Sequence, residues 1–269
     1  MRGHNVEFAD YREYCPGDDI GDVDWKAFGR TDRLFVRLFE MQTDMVVYLM
    51  LDCSASMKYA GMEGKGHGPY PPVSKLQYAC HLLAAMAFLI VKQGDKVALG
   101  LFRERLDDYV PPGGTFPHLY GLLNRLERLE GSGRTNVAAA LRQAFAATKR
   151  RGLLVVISDF LEDPAALFET LNLYRHRKFE IILFHVLHEE EYRLPTADNV
   201  RFIDSETHDA ITTRIHEVRA DYELCLGRHL EALRMGCTAR RADYNLVTTS
   251  ADYRSVLERY LVGRSGAHT

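Results

Sequence analysis

The 269-residue chain lacks several of the patterns that anchor special chemistry. Its five cysteines (Cys15, Cys53, Cys80, Cys225 and Cys237) are odd in number and scattered. None forms C-x-x-C, which excludes a zinc knuckle or disulfide framework and leaves a reducing cytoplasm as the simplest compartment. No run of about 18 apolar residues occurs, so no membrane span is expected, and no signal-peptide pattern precedes the first polar segment. Lys and Arg number 34 against 37 Asp and Glu, a net charge of −3. Without a basic excess, nucleic acid is not an expected partner. H-E-x-x-H, G-x-x-x-x-G-K-[ST] and G-x-S-x-G are all missing, which argues against a zinc hydrolase, an ATPase or a serine hydrolase. His185 and His188 lie an odd offset apart on a strand, so they face opposite ways and make no zinc pair.

What is present is an ordinary globular composition, 46% hydrophobic and 26% charged, in a chain long enough to bury a sizeable core. From residue 44 onward strand and helix patterns alternate. Strands are expected at 44–52, 96–102, 106–110 (an edge), 153–159, 179–187, 200–204 and 246–247. Helices are expected at 74–91, 116–129, 137–147, from Pro164, at 212–235 and at 252–261. Such alternation implies a three-layer, doubly wound α/β fold of the Rossmann type, with a mostly parallel sheet and helices on both faces. A glycine- and proline-rich loop at 58–73 reads as mobile. The organisation expected is a lead-in at 1–43 packed on the core, a core at 44–205, and a helical and stranded extension of the same domain at 206–269.

The most informative segment is the buried strand Met45–Leu51 running into Asp52-Cys53-Ser54-Ala55-Ser56. In this D-x-S-x-S spacing the acid ends the strand and both hydroxyls follow on a tight turn. Gly133-Arg134-Thr135-Asn136 opens a helix, and Leu153–Ser158 is a second buried strand ending in Asp159. In an open parallel sheet, ligands bind outside the carboxyl ends of the strands. Asp52, Ser54, Ser56, Thr135 and Asp159 are therefore expected to converge there as a metal site. Hard oxygen donors of this kind suit Mg²⁺ or Mn²⁺.

These five positions, in this order, resemble the metal-ion-dependent adhesion site (MIDAS) of the von Willebrand factor A domain. The segments Val6-Glu7-Phe8-Ala9-Asp10-Tyr11-Arg12-Glu13-Tyr14, Pro16-Gly17-Asp18-Asp19-Ile20 and Asp24-Trp25-Lys26-Ala27-Phe28-Gly29-Arg30-Thr31 resemble a bacterial family called domain of unknown function 58. That family joins such a lead-in to a von Willebrand A core. The resemblance implies a metal-dependent protein-binding module, not an enzyme, in which Ser54 and Ser56 bind the metal directly. A partner carboxylate would take the open position. It also implies a MoxR-type AAA+ ATPase, or that ATPase's client, as partner in chaperone-like remodelling. Family members usually carry sequence before the lead-in, with membrane helices in the longer ones. A chain starting almost at the motif is expected to be a compact cytosolic version or one with a truncated start. Two other functions fit the residues: metal-dependent hydrolysis of a phosphoester, and a scaffold whose metal is only structural. In the lead-in, Asp18, Asp19, Asp22 and Asp24 beside Arg12, Lys26, Arg30, Arg33 and Arg37 read as a charge-paired collar anchored by Trp25.

Overall fold

In the computed structural model, which describes residues 6–16, 18, 21, 23–41, 45–62, 73–196 and 199–258, the chain divides into two compact units, Met1–Asp44 and Met45–Thr269. The smaller holds strand β1 (Val6–Glu13), helix α1 (Trp25–Thr31) and strand β2 (Phe35–Met41). β1 and β2 pair antiparallel, from Val6 opposite Met41 to Glu13 opposite Phe35. The acids of this unit serve local geometry. Asp24 caps α1 by accepting from the N–H groups of Lys26 (2.9 Å) and Ala27 (3.1 Å), the usual N-cap role. Asp18 accepts from the Cys15 N–H and from Arg12 at 2.8 Å. Asp19 and Asp22 lie outside the described residues. Trp25 is not a buried anchor: it is 58% exposed and meets Phe28 edge-on, with ring centroids 6.4 Å apart.

The larger unit runs β3 (Val46–Asp52), α2 (Lys75–Lys92), β4 (Lys96–Phe102), β5 (Leu106–Gly113), α3 (Phe116–Glu127) and α4 (Val137–Ala147). It continues through β6 (Leu153–Ser158), α5 (Pro164–His176), β7 (Glu180–Leu187), the short α6 (Glu189–Tyr192), β8 (Asn199–Ile203) and β9 (Ala210–Arg214). It closes with α7 (Ile215–Ala239), β10 (Asp243–Thr248) and a helical segment at 253–258. Six strands form one sheet in the order β10-β7-β6-β3-β4-β5. All neighbours are parallel except the edge strand β5, which is antiparallel to β4.

Successive residues of a strand face opposite sides of its sheet, and β3 shows the result. Val47, Leu49 and Leu51 pack with α2 and α3, while Val46, Tyr48 and Met50 pack with α4, α5 and the end of α7. β3 is buried along its whole length, as a parallel strand covered on both faces should be. Fully burying each such side chain contributes about 1.5–3 kcal/mol. α2 is long and apolar enough to cross a membrane by length and composition. Here it is a core helix, with ten of its 18 residues buried and a capping box between Ser74 and Gln77 at its start.

Two described elements depart from expectation. Residues 212–214, expected to open a helix, belong to β9, which pairs with β8 in a hairpin outside the main sheet. The β-branched run Ile211-Thr212-Thr213 favours the strand. The helix begins at Ile215 instead. α6 was not expected; His188 caps it in a capping box with Glu191. Most of the glycine-rich loop, residues 63–72, lies outside the described residues, as does the end of the helix expected at 252–261.

Candidate functional site

β3 and β6 are neighbours at the centre of the sheet, so their carboxyl ends bring Asp52 and Ser158-Asp159 side by side. Asp52 is fully buried. One carboxylate oxygen accepts from the Ser54 N–H at 2.9 Å. The other accepts from Thr135 Oγ1 at 2.9 Å and from Ser158 Oγ at 2.6 Å. Ser54 Oγ and Ser56 Oγ lie 3.0 Å apart. Asp52, Ser54, Ser56 and Thr135 therefore stand in one hydrogen-bonded cluster, and Asp159 lies close enough for its charge to act on Asp52.

Backbone bonds hold the contributing loops to one another. The Cys53 N–H donates to the Phe102 carbonyl at 2.8 Å, the Ala55 N–H to Gly133 at 2.9 Å, and the Ser132 N–H to Cys53 at 2.9 Å. Gly133 sits at φ +73, a left-handed conformation that glycine adopts without strain. At Gly131 a Cβ would lie 2.8 Å from the Ser54 carbonyl oxygen, so only glycine lets the two loops approach this closely. Asn136 then caps α4 by accepting from the Ala139 N–H. Glu162 accepts from the Val137 N–H at 2.8 Å.

Asp159 has a partner that no local pattern announces. Its Oδ2 lies 2.8 Å from the Lys75 ammonium, and that ammonium lies 2.6 Å from Glu191. Neither Lys75 nor Asp159 is exposed to any degree. Among the described residues the other oxygen of Asp159, Oδ1, is buried with no partner at hydrogen-bond distance, though the Ser56 hydroxyl lies near enough to favour the charged carboxylate. Burial alone would raise the Asp159 pKa, but the Lys75 charge holds the carboxyl below its ordinary range. Asp52 has no such cation. Burial, then the charge of Asp159, pushes its pKa up to about 6.

The donor set fits a hard divalent cation. Two carboxylates and three hydroxyls converge, and among the described residues one buried carboxylate oxygen has no partner at hydrogen-bond distance. The local charges also leave room for one: among the described residues, Asp52, Asp159 and the partly buried Glu191 set three carboxylates against the one ammonium of Lys75. Among the described residues, no group of three or more His, Cys, Asp or Glu side chains is placed to hold a metal. Metal binding at this cluster would therefore depend on its serine and threonine hydroxyls. His185 is fully buried at the back of the cluster, with Nδ1 2.7 Å from the Tyr244 hydroxyl.

Sequence reasoning missed Lys75, Ser158, Glu191 and Glu206. Ser158 had a signal, since it directly precedes Asp159 at the same strand end. Lys75 and Glu191 had none, because their contacts with the site span 84 and 116 positions. Glu206, half-buried in the β8–β9 turn, has its carboxyl pKa raised by burial and then by the charge of Asp159, an effect the Thr135 N–H opposes.

Known proteins similar to this chain bear on both fold and setting. It is 26% identical over 208 residues to the "Uncharacterized protein Rv1480" of Mycobacterium tuberculosis (strain ATCC 25618 / H37Rv), and equally to the "Uncharacterized protein Mb1516" of Mycobacterium bovis (strain ATCC BAA-935 / AF2122/97). The match takes in 76% of this chain and 62% of each relative, so the chain spans less than two thirds of their length. Among solved structures it is similar to the conserved hypothetical protein BatB from Bacteroides thetaiotaomicron, with a TM-score of 0.52 and 16% identity over 82% of this chain and 99% of that one. It is also similar to an aerotolerance-related membrane protein from Bacteroides fragilis NCTC 9343, with a TM-score of 0.50 and 17% identity over 80% and 96% of the two chains. The fold is α/β and von Willebrand factor A-like, as the motif resemblance implied. The expected cytoplasmic location is corrected: the Bacteroides fragilis neighbour is described as a membrane protein. The family described as "Protein of unknown function DUF58" matches residues 10–232, most of both units, and the chain belongs to it.

Proposed function

We propose that this chain is a metal-dependent protein-binding module. Asp52, Ser54, Ser56, Thr135 and Asp159 would hold Mg²⁺ or Mn²⁺, and the ion would supply an electrophilic position for a carboxylate of a partner protein. Such a contact is directional and charge-assisted. The observation that carries this reading is the buried Oδ1 of Asp159, which has no partner at hydrogen-bond distance among the described residues, set beside the cluster in which Asp52 gathers Ser54, Thr135 and Ser158. A buried polar atom left without a partner costs free energy, and a cation would satisfy it. The three hydroxyls contribute oxygens without adding charge, which leaves the ion free to attract an outside anion.

A binding role is favoured over phosphoester hydrolysis by the one cation of the cluster. Lys75 is clamped between Asp159 and Glu191, which together keep its ammonium protonated against the pull of burial. It is unsuited to act as a base. The partner we infer from the family resemblance is a MoxR-type AAA+ ATPase or its client, with the module working at a membrane. The test is capture by the purified chain in Mg²⁺, in EDTA, and with Asp52→Ala, with captured proteins identified by mass spectrometry. An AAA+ ATPase retained only by the wild type with metal is expected. A folded Asp52→Ala variant that captures the same ATPase equally well overturns the reading.

A further inference from the structure

The Lys75 ammonium stands between two carboxylates that differ in role. Asp159 Oδ2, 2.8 Å away, belongs to the cluster and is fully buried. Glu191 Oε1, 2.6 Å away, lies outside the cluster, and its side chain is 22% exposed. Glu191 is itself fixed in place. Its second carboxylate oxygen accepts from the His188 N–H at 2.8 Å in the capping box of α6, and its carbonyl accepts from the Tyr222 hydroxyl at 2.5 Å. Lys75 is anchored at its backbone, as the first residue of α2, where its N–H donates to the Tyr59 carbonyl at 3.1 Å. A divalent ion at Asp159 would meet this ammonium across the same carboxylate, and two like charges so close repel. Among the described residues, no group of three or more His, Cys, Asp or Glu side chains is placed to hold a metal, so no further carboxylate of that kind offsets the repulsion. Glu191 gives the ammonium somewhere to stay. Released from Asp159, it keeps a partner, whereas a buried charge with none would be strongly destabilising.

We propose that Lys75 is the resident cation of this site, a tethered competitor that holds Asp159 until a divalent ion takes it and the ammonium passes to Glu191 alone. This rests on the metal-dependent reading above. A tethered group competes at a high effective concentration, so Lys75 sets how much free metal the site needs. The exchange is also felt outside the site, because the carboxylate that receives the ammonium is the one that closes the capping box of α6.

The probe is Mn²⁺ alone, its free concentration read by electron paramagnetic resonance, in the wild type, in Lys75→Gln, and in each of these with Ser54→Ala added. Lys75→Gln removes the charge but leaves an amide that can donate to either carboxylate, and circular dichroism checks the fold. Lys75→Gln is expected to bind Mn²⁺ at least about tenfold more tightly than the wild type. A lysine that merely positions Asp159 predicts the opposite, a weaker site. Equal or weaker binding by folded Lys75→Gln overturns the proposal alone. A second readout needs no variant. In wild-type protein with ¹⁵N in its lysine side chains, the resonance of the buried Lys75 ammonium should shift as Mg²⁺ fills the site. An ammonium unmoved by bound Mg²⁺ overturns the proposal as well. If neither the wild type nor Lys75→Gln binds Mn²⁺ better than its Ser54→Ala counterpart, the metal reading falls, and the proposal with it.

Discussion

The Lys75 ammonium lies 2.8 Å from a carboxylate oxygen of Asp159, and neither side chain reaches solvent. Breaking such a pair by removing one partner leaves the other charge buried and uncompensated, which costs about 3–5 kcal/mol. Lys75→Met is therefore expected to lose stability on that scale in metal-free protein, as measured by urea unfolding. The double variant Lys75→Met/Asp159→Asn should recover much of the loss, because no charge is then stranded at Asp159.

His185 makes stability depend on pH. Burial, offset in part by the nearby Asp159 and reinforced by His229 and Lys75, lowers its pKa to about 3 from 6.5. Tyr244 meets it at Nδ1. The unfolded chain takes up the proton near pH 6.5 and the folded chain does not, so this residue costs stability as pH falls from about 6.5 toward 3. By pH 5.5 the cost is about 1.4 kcal/mol. His185→Gln should flatten that part of the curve. Unfolding free energies of the two proteins at pH 7.5 and 5.5 should converge by this amount on acidification; parallel curves would show that His185 is not the source.

Gly131 faces the Ser54 carbonyl oxygen so closely that a Cβ would stand 2.8 Å from it, and 2.6 Å from Lys58 Cγ. The lysine stem can swing away, but the backbone oxygen cannot. Gly131→Ala is expected to cost about 1–3 kcal/mol, as overpacking does, and to shift the loop carrying Ser54 and Ser56. The check is its melting temperature together with its Mn²⁺ affinity. Weakened metal binding at nearly unchanged stability would locate the whole effect in the loop.

Ser158 Oγ donates to Asp52 at 2.6 Å and accepts from the Phe160 N–H at 3.0 Å. Ser158→Ala leaves both buried groups short of a partner, at about 1–3 kcal/mol. That hydrogen bond also favours the charged form of Asp52. A carbon-13 titration should therefore find the Asp52 pKa in the variant higher than the wild-type value of about 6.

The parts of this molecule legible in its sequence are those set by short spacing. Asp52, Ser54 and Ser56 lie within one turn after an apolar strand, and the strand period carries both faces of β3. The edge strand at Leu106 was readable as to its start and its edge position, but it runs on through Pro111 and Pro112 to Gly113, past the expected end at 110, because an edge strand tolerates prolines whose missing N–H faces away from its one partner. What was not readable came from distance or from competing propensities. The partners of Lys75 are chosen by tertiary packing across the sheet's carboxyl edge. Residues 212–214 sit where a helical pattern meets a β-branched run, and pairing with β8 decides the outcome. Trp25 suggested burial by its type, but α1 leaves it facing water. Glu206 carries no sequence signal, since an acid in a polar turn is ordinary until the fold sets it on one pocket with Ser132 and Gly133.

Because β3 contributes alternate side chains to both halves of the interior, neither half can open alone without disturbing the strand that ends in Asp52. Amide hydrogens of Leu49 to Leu51 should exchange only through global unfolding, at the full free energy of the molecule, whereas those of the exposed β8–β9 turn should exchange through local opening at a small fraction of it. A fixed strand end beside a loosely held hairpin gives two parts of the larger unit separate clocks. Evolution can retune the hairpin, residue by residue, without putting the foldability of the chain at risk.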